Sequence, residues 1–111
     1  MSEYFNKYQN MWVMVFYDLP MQTTPEKRRY LLFRKKLLKD GFRLFQFSIY
    51  MRHCATRANA EVHIKRVQAA LPADGHVGIL TITDRQFGNM EIYYGRQTVD
   101  GFQEPQQLEL F

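Results

Sequence analysis

One carboxylate stands where a strand ends. Met11–Tyr17 is an unbroken run of apolar and aromatic residues, MWVMVFY, followed by Asp18 and closed by Leu19-Pro20. The run is short and rich in strand-favouring residues, which predicts a buried strand rather than a helix. A carboxylate at the end of such a strand is held rigidly and faces whatever crevice forms there, as a functional acid would be. The plainer alternative is that Asp18 opens the turn at Leu19-Pro20. His53 and His76 are the candidate proton-transfer groups for the same site. Cys54 follows His53, but neighbours in a strand point to opposite faces, so the two do not form a nucleophilic pair. As the single cysteine, it also excludes an intrachain disulfide and a cysteine-built zinc site. Ser48 is read as satisfying backbone groups at a strand junction rather than as a nucleophile.

The second constellation is positive charge. The chain carries a formal +4, with a pI near 9.3. All 15 Lys and Arg lie at or before Arg96, where 8 of the 11 acids also lie, a net of seven positive charges in that part. Such an excess favours a polyanionic partner. Seven of the cations fall between Lys27 and Lys39. At 100° per residue, Arg28, Arg29, Lys35, Lys36 and Lys39 share one arc of a helix, opposite Tyr30, Leu31, Phe33, Leu37 and Leu38. That face is either a solvated surface or a phosphate-contacting one. Arg34 falls inside the apolar arc and must snorkel past the core or reach an acid or a partner chain. Arg85 and Arg96 flank a later short strand.

The elements that position these residues are legible in order. Residues 1–10 read as a loosely docked arm. The first strand, Met11–Tyr17, is apolar on both faces and so needs cover on both. Thr24 is the expected N-cap of the first helix, with Pro25 at its first position and Glu26 near the positive end of the dipole. Gly41 ends that helix. Phe42–His53 is too long for one typical strand and divides near Gln46–Ser48, the later strand running Ser48–Arg52. A second helix, capped by Thr56 or Asn59, buries Ala60, Ile64, Val67 and Leu71 and stops at Pro72 and Gly75. His76–Asp84 is the fourth strand, Arg85–Met90 a loop, and Glu91–Tyr94 a short fifth strand closed by Gly95. Gln97–Gln107 is polar and reads as extended, and Leu108–Phe111 is too apolar for a free tail.

The order β-α-β-β-α-β is the split pattern of an α+β, ferredoxin-like domain over residues 1–95, followed by a tail over 96–111. Strands one and three are expected to be central and parallel, which would bring Asp18, Arg52 and His53 to one edge with His76 nearby. Both helices would cover one face of the sheet. The other apolar face calls for a second copy of the chain, giving a face-to-face homodimer. The alternating Leu108, Leu110 and Phe111 segment is expected to dock as a strand on a partner.

The series Tyr17-Asp18-Leu19-Pro20, Leu37-Leu38-Lys39-Asp40-Gly41 and Gln46-Phe47-Ser48-Ile49-Tyr50 resembles the small CRISPR-associated protein family that works beside the CRISPR integrase. The segment from Thr83-Asp84-Arg85-Gln86 to Tyr93-Tyr94-Gly95 resembles its type II members in particular. The resemblance covers about Met11 to Gly95 and extends to the Leu108–Phe111 tail. It implies a ferredoxin-like homodimer that takes part in acquiring new spacers. It implies that Asp18 is the catalytic acid and Mg²⁺ ligand of an endoribonuclease-type site, although members differ in whether they cleave RNA, cleave DNA or need no catalysis. As the integrase's partner, the dimer would bridge it and hold duplex DNA, with single-stranded RNA as the other possible nucleic acid.

Physical chemistry sharpens these implications. Mg²⁺ takes six oxygen ligands, commonly one or two carboxylates with waters and phosphate. One chain offers Asp18; Glu26 and Asp40 belong to a helix, and Asp84 to the far end of the fourth strand. A symmetric pair would offer two Asp18 carboxylates across its axis. Two other classes share the fold. An RNA-recognition motif would require a Lys or Arg before Gly41 and a small residue at Arg43, where the chain has Asp40-Gly41-Phe42-Arg43. A small-molecule sensing domain would leave the basic helix face without a use. No apolar run approaches the roughly 20 residues that cross a membrane, and the polar N-terminus has no signal-peptide core. A cytoplasmic protein without membrane contact is the expectation.

Overall fold

The computed structural model describes residues 9–99. Its elements are β1 (Met11–Asp18), α1 (Thr24–Lys39), β2 (Arg43–Gln46), β3 (Ile49–Cys54), α2 (Arg57–Ala69), β4 (His76–Thr83), α3 (Asp84–Gly88), β5 (Ile92–Tyr94) and β6 (Gln97–Val99). The first four strands make one sheet in the order β2-β3-β1-β4, which is the ferredoxin-like arrangement.

The central strands correct the sequence reading. Met11 faces Cys54 and Phe16 faces Ile49, so β1 and β3 run antiparallel. The α1 crossover makes β2 parallel to β1, and the tight turn at Phe47-Ser48 then reverses the chain into β3. Arg52 and His53 therefore lie at the opposite end of the sheet from Asp18.

Local signals set the helix ends. The N-cap of α1 is Thr23, not Thr24, because Glu26 stands three residues after Thr23 and completes a capping box. Glu26 N–H donates to Thr23 Oγ1 at 3.2 Å and Thr23 N–H donates to Glu26 Oε1 at 2.8 Å. That Thr23 backbone bond, the largest influence, holds the Glu26 carboxyl below its ordinary value. Gly41, at φ 89°, turns the chain out of α1, with Gly41 N–H donating to the Leu38 carbonyl and Phe42 N–H to that of Leu37. Thr56 caps α2 by accepting from Asn59 N–H at 3.0 Å. Because α2 ends at Ala69, Leu71 leaves the apolar stripe and is exposed.

The first sheet face carries the core. Met11, Val13, Val15 and Tyr17 pack there against Phe33 and Leu37 of α1 and Ala60 and Val67 of α2. Leu31 and Leu38, expected in the apolar arc of α1, are exposed. They sit at the margin of that arc, beyond the part that meets the sheet. Arg34 resolves its conflict within the core layer by donating from Nε to the Tyr50 hydroxyl at 2.8 Å.

Asp40 ties the two helices together. One oxygen lies 2.7 Å from buried His63 Nδ1 and the other accepts from Arg66 at 2.8 Å. Burial raises the Asp40 carboxyl, but the hydrogen bonds from His63 and Arg66 together outweigh it and leave the group below its ordinary 3.8. A depressed folded value stabilises the fold above the unfolded value and loses that contribution as pH falls through the folded one. Asp40→Asn should cost about 1.5–3 kcal/mol near neutral pH, the range for a hydrogen bond to a charged group. Its deficit should shrink below pH 3.8. Urea unfolding of both proteins across that range checks this; a deficit independent of pH would remove the carboxylate from the account.

The second sheet face is partly covered by the chain itself. Residues after Thr83 form the short helix α3 rather than the expected loop, because Thr83 and Gln86 make a second capping box. Phe87 of α3 stacks on Trp12 at 4.1 Å, and Trp12 Nε1 donates to Asp84 Oδ1 at 2.7 Å. Phe45, Met51 and Phe87 form a second cluster there with Trp12, Met14 and Ile82 around it. Farther along the same face, Phe16 and Leu80 stay 43% and 47% exposed. The β5 strand pairs with β6 around Gly95 as a separate two-stranded sheet. Leu108, Leu110 and Phe111 lie outside the described residues.

Candidate active site at the end of the first strand

Alternation along β1 decides where Asp18 goes. Tyr17 is buried on the helix side, so Asp18 shares the open face with Phe16. Two contacts fix the strand end. Tyr17 N–H donates to the Ser48 carbonyl at 3.1 Å. Gly75, at φ 89°, abuts the other side: a Cβ there would lie 2.7 Å from the Asp18 carbonyl oxygen and 2.6 Å from Leu19 Cδ2. Gly75 thus permits the close approach of β4 as well as the turn after α2. Gly78 has a matching role beneath Phe16, whose ring lies 2.4 Å from where a Cβ would stand.

The result is an open groove of about 540 Å³ lined by Asp18, Ser48 and His76 with Phe16, Phe47 and Ile49. His76 is the direct cross-strand partner of Asp18. Both are exposed, so a phosphodiester could reach them from solvent. Phe47 is 76% exposed and holds φ at 44°, a backbone region costly for a bulky residue. It presents an aromatic ring at the rim of the groove. Chemically, the groove offers an anionic oxygen ligand, an imidazole and an aromatic surface at one place.

The structure separates other candidates from this site. His53 lies at the far end of the sheet, edge-on to Trp12 with ring centroids 5.2 Å apart. Burial, the largest influence, pushes the Cys54 thiol up, which suits a core position and not a nucleophile. Asp40 is committed to His63 and Arg66, and Asp84 to Trp12. Among the described residues, no group of three or more His, Cys, Asp or Glu is placed to hold a metal ion. Among the described residues, Asp18 is the one carboxylate that lines this groove.

The cations do not form one surface. Arg28, Lys35, Lys36 and Lys39 are exposed on α1. Arg29 is paired with Asp74 at 2.9 Å. Arg85 belongs to α3, on the other side of the sheet, and Arg96 to the turn between β5 and β6. The α1 set gains a member that helical periodicity within α1 could not reveal: Arg66 of α2 lines a cleft of about 360 Å³ with Lys36 and Lys39. His63 was also missed. Its signal was its place on the Ala60–Val67 face, where a buried imidazole needs a polar partner.

No described helix is long and apolar enough to cross a membrane. The model of the CRISPR associated protein Cas2 family matches residues 11–90. The chain is 54% identical over 106 residues to the CRISPR-associated endoribonuclease Cas2 of Flavobacterium psychrophilum, covering 96% of this chain and 92% of that one. It is 50% identical over 101 residues to that of Parvibaculum lavamentivorans, covering 91% and 100%. With the protein of the same name from Paracidovorax avenae it shares 38% over 104 residues, covering 94% and 96%. A ferredoxin-like sheet with Asp18 at the end of its first strand, and matches of this length, identify the chain as a member of the CRISPR-associated Cas2 family.

Proposed function

We propose that this chain is a CRISPR adaptation subunit that pairs face to face, bridges the CRISPR integrase and holds duplex DNA, and that Asp18 is the catalytic acid of an endoribonuclease-type phosphodiesterase. The observation that carries the catalytic part is the groove in which Asp18 and His76 stand as cross-strand partners. The relatives' names supply the reaction type.

A lone exposed carboxylate is a weak Mg²⁺ site, whereas two, one from each copy, fit the ion's usual demand for one or two carboxylates with waters and phosphate. The exposed Phe16 and Leu80 on the Asp18 face support such a pairing. Bound there, Mg²⁺ would neutralise phosphate oxygens and lower the pKa of an attacking water. The protein's own part is to hold Asp18 rigidly through the Ser48 and Gly75 contacts, to seat the substrate on Phe47, and to offer His76 for proton transfer to the leaving oxygen. Leu108, Leu110 and Phe111 would add an edge strand to the partner copy or to the integrase.

Duplex DNA would lie along the cations of α1, joined by Arg66. Arg85 and Arg96 would contact a different stretch of the nucleic acid. Among the described elements α2 holds Arg57, Asn59, Arg66 and Gln68, but helical spacing puts Arg57 and Gln68 on the side opposite Asn59 and Arg66. No single face thus presents the series that reads base edges, and binding should depend on phosphates alone. With about four to eight contacts per dimer, log K should fall with log salt at a slope of about −3.6 to −7.2. Reversing Lys35, Lys36 and Lys39 to Glu should weaken unrelated duplexes equally and flatten that slope. Salt titrations on two duplexes test this; a strong preference for one, or a slope near zero, would count against the reading. The RNA-recognition alternative needs an open aromatic platform on the central strands, and Phe87 already occupies Trp12.

A further inference from the structure

The end of the sheet away from Asp18 carries a second polar pocket. Its volume is about 310 Å³, and its lining is Trp12, Gly41, Arg43, Met51, Arg52 and His53. Trp12 and Asp18 are six residue steps apart on β1, roughly 20 Å along an extended strand. Three of the six lining residues are basic and none is acidic.

Arg52 is built into this wall. Its Nε donates to the Asp40 carbonyl and a terminal nitrogen to the His53 carbonyl, each at 2.7 Å. Both acceptors are neutral, so among the described residues the guanidinium has no carboxylate partner. Gly41 is what lets it lie flat: a Cβ there would stand 3.1 Å from Nε and 3.3 Å from the second terminal nitrogen. Two main-chain bonds fix the orientation of the fork and leave that second nitrogen uncommitted. Arg43 is exposed and likewise makes no ion pair among the described residues. It faces Met51 across the strands, so it lines the pocket from the sheet face opposite that of Arg52. One fixed guanidinium, a second without an ion pair among the described residues, and an imidazole on the same lining attract an anion, and planar forks suit phosphate oxygens. The volume, at the lower end of small-molecule sites, has room for a phosphoryl group with a sugar.

We propose that Arg43, Arg52 and His53 form a binding site for a terminal phosphate, a phosphomonoester on a ribose, independent of the Asp18 groove. The ligand is either a free nucleotide or the 5′ end of a nucleic acid strand. Trp12, the chain's single tryptophan, lines the pocket and reports occupancy.

The test is titration of the full chain with ribose 5-phosphate and with ribose at fixed ionic strength, read by Trp12 fluorescence. Ribose 5-phosphate should give a saturable change and ribose none. Arg43→Gln should weaken binding about tenfold, the usual loss for one charge-assisted contact. Arg52→Lys should weaken it by a similar factor, because a point charge loses the fork, and Asp18→Asn should leave it unchanged. Circular dichroism confirms that each variant is folded, and Arg43, on the surface, keeps the test sound if Arg52→Lys is not. A 5′-phosphorylated oligonucleotide is then compared with its 5′-hydroxyl twin. A preference for the phosphorylated strand that vanishes in Arg43→Gln identifies the strand end as the ligand, and its absence identifies the free nucleotide. No fluorescence change with ribose 5-phosphate at millimolar concentration, or an affinity untouched by Arg43→Gln, would overturn the proposal.

Discussion

Asp18→Asn should lower Mg²⁺-dependent cleavage of single-stranded RNA by at least about 10²-fold, the scale of losing a positioned catalytic group. Asparagine keeps the shape and loses the charge that a cation or a proton donor needs. The substitution should not disturb the fold, because the Asp18 side chain is exposed and the contacts that fix the strand end use main-chain atoms and Tyr17, Ser48, Leu19 and Gly75. Duplex binding should persist or tighten slightly, since the variant removes negative charge. Residual cleavage in EDTA, or equal cleavage by wild type and variant, would show that the activity belongs elsewhere. His76→Gln provides the internal comparison. It should slow cleavage less than Asp18→Asn does and change the pH profile, whereas a groove that only binds RNA would show a change in KM alone.

The second large effect is expected at Phe16. It is 43% exposed beside Leu80 at 47%, both on the open face that also carries Asp18. Phe16→Asp should weaken self-association by about 30-fold or more, as loss of a central aromatic anchor together with burial of a charge demands. Sedimentation at micromolar concentration reads this directly. Cleavage should fall with the dimer fraction, because among the described residues each chain brings only Asp18 as a carboxylate to the groove. A monomer that cleaves as well as the wild type would sink the shared site without touching the family assignment. Leu80→Asp serves as the second variant. It leaves the Phe16–Gly78 contact intact, so a loss common to both variants is a loss of association rather than of strand packing.

Much of the fold was written in local pattern. The apolar run Met11–Tyr17, the 3.6-residue periodicity from Tyr30 to Leu37, and glycine after Asp40 each specify one element without help from the rest of the chain. So does the polar break at Gln46–Ser48. Their order restricts the fold to the ferredoxin-like class, and the motifs from Tyr17 to Gly95 carry the family likeness. Small errors followed where two local signals competed. Thr23 won the cap from Thr24 because Glu26 completes a box with it, and Thr83 with Gln86 turned an expected loop into α3.

The candidate site was only half legible for a different reason. A strand's periodicity says which residues share a face; its direction follows from the α1 crossover and the turn at Phe47-Ser48, and reading β1 and β3 as parallel made His53 and His76 look equivalent as neighbours of Asp18. The antiparallel register of β1 with β3 and β4 decided between them, leaving His76 opposite Asp18 and placing His53 at Trp12. The approach of Gly75 to Asp18, the Asp40–His63–Arg66 link and the Arg43–Arg52–His53 pocket join residues from separate elements. Sequence supplied the chemistry of each side chain and its place on a helix or strand. Which of them meet depended on how the crossovers and turns fold the elements together, because such contacts form through space and leave no periodic trace along the chain.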